Sequence, residues 1–533
     1  MCNWETQMNG RRAKSPVRGR PASLTFILAL SLCQFLSLPL SLRAEFPANA
    51  PIEVGQKKQL FLDDHLIASA TNISRTIHQA EKSKDNPVIR QTEHWEDPFN
   101  ILYGSVIRDG QKYKAWYKSG PGVSYAESDD GLHWIKPPLD LVAVNGAKTN
   151  ILFRKTSELK GSEELPYYHE LFGVHKDERE PDPSRRYKMG YLSIDWEYKG
   201  PREGRFREGQ RRGLGIAGSA DGIHWKLIDS FASEAICDGA THWMFDPALG
   251  RYVLYGRTLK TPPEIEAAWS KYDWYRNWYS GRAVGRIESA DFAHWNFTAP
   301  FSSPVVMTAD LQDRPATEIY SVLVFPYESV YLGLVQTLLA VPDAPAVDVQ
   351  LAVSRDGIHF TRVGEGIVGD SAPAVRSPFI ANGPVGSWDR FNQSLASNPP
   401  IAAGDELRFY YAGRTYRHAP YDGKDTGPRA GSIGLATILR DRFVSLDASF
   451  DGGQIVTKLL KLAGQRLHLN ANSEFGEISV EALDLAGQPI ARSKPIQRNS
   501  LDAPIEWEGG AIKGAVVLRI TLKNACLYAV WCD

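Results

Sequence analysis

Four near-copies of one heptapeptide constrain what this chain can fold into: SDDGLHW from Ser128, SADGIHW from Ser219, SADFAHW from Ser289 and SRDGIHF from Ser354. Each follows a short alternating stretch, VSYAES, LGIAGS, AVGRIES or VQLAVS, as a half-buried strand requires. Asp-Gly in three of the copies predicts a tight turn, and the closing aromatic begins the next strand or packs on the sheet. A fifth, eroded copy is IGLATILRDRF, where Thr437 and Phe443 keep the interval from Ser to Trp.

Repeats starting at 128, 219, 289, 354 and 437 are spaced widely enough for several strands each. A unit of that size, built of strands and a recurring hairpin, predicts a β-propeller blade, whose sheet buries its faces only against neighbouring blades. Two further strands precede each hairpin, for example ATHWMFDPALGRYVLYGRT and IYSVLVFPYESVYLGLVQT. The fold class expected is therefore all-β: a five-bladed β-propeller over residues 45–449. The alternating segments beyond it, such as GEISVEALD and AVVLRITLK, predict a small C-terminal β-sandwich over 450–533.

The start of the chain reads differently. Arg11, Arg12, Lys14, Arg18 and Arg20 precede an uncharged run from Pro21 to Leu42, and Ala44 offers a small residue for cleavage. Residues 1–44 are read as a secretory signal peptide, with an uncleaved anchor as the alternative. The expected location is secreted, periplasmic or extracellular, with no membrane association beyond this segment. The formal net charge is −1, and residues 1–44 carry six of the 61 basic side chains, so what remains is mildly acidic and nothing favours nucleic acid. In CLYAVWC, an extended strand puts the two cysteines roughly 20 Å apart, too far for a disulfide.

With its five aromatic-rich blades the chain resembles the five-bladed glycoside hydrolases of families 32, 43, 68 and 130. WEDPFN from Trp95 is similar to the blade-one Asp-Pro of family 32, whose N-terminal domain it resembles most. The resemblance implies a glycosidase acting on poly- or oligosaccharides.

In a propeller the innermost strands line the axis, and an acid enters each of them here: Asp97, Glu170, Asp238, Glu318 and Asp389. Glycoside cleavage needs one carboxyl to protonate the leaving oxygen and one carboxylate to attack or to activate water. By blade position, the resemblance implies Asp97 as base or nucleophile, Glu170 as stabiliser and Asp238 as proton donor, with Glu318 the substitute donor. His169, His242, Arg257 and Arg414 are candidates for binding sugar hydroxyls or carboxylates. Trp95, Trp243 and Tyr320 are candidates for stacking on a sugar face, and Asp389 completes the set.

His133, His224, His294 and His359 lie at equivalent hairpins of different blades and cannot converge on one metal ion. No cofactor is required, although a structural calcium could take oxygen ligands from the inner acids. Two other functions remain open. One is a glycan phosphorylase, marked by Arg, Lys and His gathered in the channel. The other is a propeller that binds carbohydrate without catalysis.

Overall fold

The repeated hairpins work as local turns and as bolts between blades. In a computed structural model that describes residues 50–533, except 97–100, 121, 155–163, 201–209, 237, 342–346, 419–427, 465, 510, 511 and 513, Ser128 Oγ accepts from Gly131 N at 2.9 Å. Asp130 Oδ1 accepts from the amides of Leu132 and His133, both at 2.8 Å. The His133 ring closes the turn on Asp130 Oδ2 at 2.7 Å. The copies at Ser219 and Ser354 repeat this set of bonds. Asp and Ser thus hold backbone donors that the turn leaves unpaired. The four histidines point outward, their side chains 70–88% exposed.

The carbonyls of three hairpin glycines face the preceding blade. Trp116 Nε1 donates to Gly222 O at 2.6 Å, Tyr255 OH to Gly357 O at 2.7 Å and Tyr410 OH to Gly131 O at 2.8 Å. In the third copy Phe292 replaces the glycine, at a φ of 69°. Its ring fills the gap between the second and third blades, against Trp243 and Tyr252.

Five sheets follow one another along the chain. Their innermost strands are Ile101–Asp109, Tyr168–Lys176, His242–Asp246, Thr317–Tyr327 and Phe391–Leu395. In the first four blades the chain supplies four antiparallel strands in order, with the hairpin motif between the third and the fourth. The fifth blade differs. After Gly431–Leu439 the chain passes through Asp441 and Phe443 and leaves, and the outer position is filled by Glu81–Lys82 from the start of the propeller. Lys82 pairs across the closure with Asp389. The ring is therefore shut by joining its two ends.

Leu139–Val144 and Ala147–Thr149 pair as a small ribbon beside blade one, and the strands left over form two further sheets. One orders Ile52–Val54, Leu460–Leu462, Ala515–Lys523, Glu477–Leu483, Pro489–Ser493 and Trp507–Glu508, with Ile67–Thr71 and Gly453–Thr457 attached. The other orders Gly366–Ile367, Ser74–Ile77, Val444–Ala448, Ala525–Cys532, Leu467–Asn472 and Asn499–Pro504. Side chains of both, among them Val480, Leu518, Leu469 and Leu527, share one apolar core. The boundary expected at residue 450 shifts accordingly, because strands between residues 52 and 77 belong to these sheets. Asp441 ties the two parts together, accepting from Lys58 at 2.6 Å and Tyr327 at 2.7 Å. Cys526 and Cys532 are unpaired. No helix among the described residues is long and apolar enough to cross a membrane.

Candidate active site at the start of the inner strands

All five inner strands start at one end of the axis, and each second strand runs back to that end. The second strands of blades one, three and five bring Lys118, Arg257 and Arg414 there, to the same end as the acids that precede or open the inner strands. Glu170, in the inner strand of blade two, accepts from Lys118 Nζ at 2.7 Å. Its other oxygen lies over the backbone of blade three, where a Cβ at Gly239 would collide with Glu170 Oε2. Gly239 is thus what lets Glu170 approach the segment that carries Asp238.

Asp238 accepts from Arg257 Nη1 at 2.8 Å, while Arg257 Nη2 donates to Tyr320 O at 2.7 Å and the guanidinium lies over the Tyr320 ring. Tyr320 OH and Tyr103 OH share a hydrogen bond of 2.7 Å. His418 abuts the Tyr320 ring edge-on, and Arg414 packs over Tyr416. Side chains of all five blades are joined in one cluster: Tyr103 and Lys118, Glu170, Asp238 and Arg257, Tyr320, then Arg414 and His418.

Electrostatics separate Asp238 from ordinary surface carboxylates. Burial opposes ionisation of Asp238, but Arg257, Arg212 and Arg282 override it and hold the carboxyl below the usual range. Its side chain is 43% exposed, so the carboxylate is open to solvent rather than sealed in a core. Loss of hydration, with Arg414, Arg282 and Arg257 nearby, pushes His418 down to about 3, so the ring is neutral at pH 7. Burial raises the Tyr103 hydroxyl well above its ordinary value, so it keeps its proton.

Several expected site residues lie elsewhere or in other roles. Asp97 lies outside the described residues. Glu318 is fully buried and is held by the Arg282 guanidinium, by Ser280 N at 2.6 Å and by Ser280 Oγ at 2.9 Å. Those donors outweigh burial and keep it ionised, which does not suit a substitute proton donor. Asp238, expected as the donor, is likewise held ionised by its ion pair. Asp389 stands on the closure of blade five, bonded to Lys82 and Tyr411. Trp243 is buried between blades, its ring 4.2 Å from His175 and 4.6 Å from Phe292, and presents no face to a sugar. His242 sits in the interior with Gln336, where burial and His175 push it down to about 3. Trp95 is half-buried and donates to Asn150 at 3.0 Å. His169 packs near Trp196.

The described inner acids do not fit a calcium cage, because Glu170, Asp238 and Glu318 each take a cationic side chain as partner. No group of three His, Cys, Asp or Glu side chains among the described residues is arranged to hold a metal ion. Reading the sequence for acids passed over Lys118, Tyr103, Arg282 and His418. A basic residue at the end of the second strand recurs in WYKSG, LYGRT and YYAGRT, and that pattern would have found Lys118.

The chain is a five-bladed β-propeller, and several solved structures similar to it are described as glycoside hydrolases. One is described as belonging to a family of mannoside phosphorylases that contains hydrolases of β-1,2 mannosidic linkages in Candida mannan. It is 14% identical with a TM-score of 0.42, over 68% of this chain and 95% of that one. Another is a thermostable family-43 glycoside hydrolase, 12% identical with a TM-score of 0.38, over 66% of this chain and 96% of that one. A glycosyl hydrolase from Bacteroides ovatus is 13% identical with a TM-score of 0.41, over 68% and 94% of the two chains. Uncharacterized proteins from two strains of Mycobacterium tuberculosis, CDC 1551 / Oshkosh and ATCC 25618 / H37Rv, are 39% identical over 61 residues, 9% of this chain. The match spans 20% of the length of those curated relatives. No family model matches the chain.

Proposed function

We propose that the protein is a secreted enzyme that cleaves glycosidic bonds of poly- or oligosaccharides at the end of the propeller axis where the inner strands begin. The observation that carries this reading is the approach of Glu170 to the backbone beside Asp238, which brings acids of adjacent blades together where one of them is open to solvent. Asp97, four residues before the inner strand of blade one in the sequence, is proposed as base or nucleophile. Glu170, fixed by Lys118, stabilises the positive charge that develops on the sugar ring.

The test is a screen of the protein against a broad panel of plant and algal glycans, with and without phosphate, measuring released reducing sugar. Release without phosphate supports hydrolysis. Failure to cleave any glycan under either condition rejects the reading in favour of a binding propeller.

A second reading, phosphorolysis, is favoured by Arg212, Arg257 and Arg282 around Asp238 and by Arg414 beside neutral His418. Guanidinium groups gathered at one point suit an oxyanion such as phosphate. Turnover that strictly requires phosphate would select it.

A further inference from the structure

The connection between the second and third strands of blade three is far longer than a turn. It carries the helices Pro263–Trp269 and Asp273–Asn277 between Arg251–Leu259 and Arg282–Ser289. Six aromatic residues crowd it: Trp269, Tyr272, Trp274, Tyr275, Trp278 and Tyr279. Trp269 and Ile265 form a small core with Ala309, in the connection that leads into the inner strand of blade four. Trp274, Tyr275 and Tyr279 pack partly buried against that core, whereas Tyr272 stands outside it. Tyr272 is 41% exposed and lies nearly parallel to Trp274, their planes 13° apart and centroids 5.4 Å apart.

Two observations place this insertion at the mouth of the candidate site. His242–Asp246 and Arg251–Leu259 are antiparallel with His242 opposite Tyr255, so the insertion leaves blade three at the end where Asp238 stands. Its far end is pinned by Glu318: Ser280 N and Oγ and the Arg282 guanidinium all bond that carboxylate, two residues before Tyr320 of the site cluster. Buried Glu318 is therefore a positioning residue, anchoring the insertion to the inner strand of blade four.

We infer that the Tyr272–Trp274 face is a glycan-stacking platform that continues the candidate site outward and binds a neutral polysaccharide strand, an inference that rests on the proposed glycan-cleaving function. Parallel, offset rings present a broad apolar face, which suits the C–H face of a pyranose or furanose ring. Lys260, Lys271 and Arg276 are balanced by Glu264, Glu266 and Asp273, so the insertion supplies stacking without the net charge that would select a polyanion.

The test is native affinity electrophoresis of the full chain in gels containing mannan, arabinan, inulin or β-glucan, beside cleavage assays on the same polymers. Wild type should be retarded by at least one of the polymers. Tyr272→Ala, an exposed position that threatens no core, should weaken that retardation about tenfold in apparent affinity, and Trp274→Ala by at least as much. Glu170→Gln should be retarded like wild type while losing cleavage. Full cleavage by Glu170→Gln would reject the proposed catalysis but leave the platform standing. Equal retardation of wild type and both aromatic variants, or no retardation of wild type by any polymer, overturns the platform.

Discussion

Arg257 grips Asp238 with one guanidinium nitrogen at 2.8 Å and the main-chain carbonyl of Tyr320 with another at 2.7 Å, binding blade three to blade four at the point where the acids gather. The same contact sets the charge state of Asp238. Replacing Arg257 by Gln should raise the Asp238 pKa, since burial would then act with less opposition. In a pH profile of kcat/KM, the acidic limb should move to higher pH. An unmoved limb would show that Asp238 is not the group that titrates there.

Glu170→Gln keeps the shape of the side chain and removes its charge opposite Lys118. Turnover should fall by at least about a hundredfold, with an unfolding midpoint near that of wild type. Asp97→Asn should also abolish most turnover if Asp97 is the base or nucleophile. Steady-state rates paired with thermal melts check both, and full activity in either variant removes that residue from the mechanism.

His242 is 4% exposed and pushed down to about 3 by burial and by His175. The unfolded chain binds a proton near the ordinary histidine value of about 6.5 while the folded chain does not, so stability is present above that pH and falls as pH drops below it. Between about pH 8 and about pH 5 this residue alone should cost about 2 kcal/mol. Urea titrations of wild type and His242→Gln at both pH values measure the difference; equal pH dependence of the two would disprove it.

Trp116→Phe keeps most of the buried ring but leaves the Gly222 carbonyl without its donor. An unpaired buried acceptor costs about 1–3 kcal/mol, and chemical denaturation should show a loss in that range with the site chemistry intact. Asp221→Ala should cost less, because the amides of Ile223 and His224 that it releases are open to water.

Closure of the ring offers a harsher test. Asp389 has a side chain only 4% exposed, and Lys82 is its cationic partner across the junction. Lys82→Met strands a buried carboxylate and should destabilise by about 3 kcal/mol. Lys82→Met with Asp389→Leu should recover much of that in a double-mutant cycle, whereas additive losses would mean the pair does not interact.

The blades were legible in the sequence because the hairpin bonds span two or three residues: Ser128, Asp130 and His133 carry their own turn wherever the motif occurs. The inner acids were legible as positions, since each precedes or opens a strand. Their roles were not. Glu318 meets Arg282 from 36 residues away and Asp389 meets Lys82 from 307 away, so the cation that neutralises each acid is fixed only by the finished ring. Trp243 failed for a similar reason. Its place at the head of an inner strand suggested a surface, but Phe292 at the tip of the same blade's hairpin closes over it.

The strand that completes blade five, Glu81–Lys82, is made early, while its partner Gly431–Leu439 is made some 350 residues later. Until the later segment emerges from the ribosome, the first strand has nothing to join, and the circle stays open with an unprotected border. Long-range pairing of this kind slows folding, and a bare strand edge invites pairing with another chain. Loss of the Glu81–Lys82 pairing alone would accordingly trade a sealed ring for one with a permanently sticky seam, favouring self-association over simple unfolding.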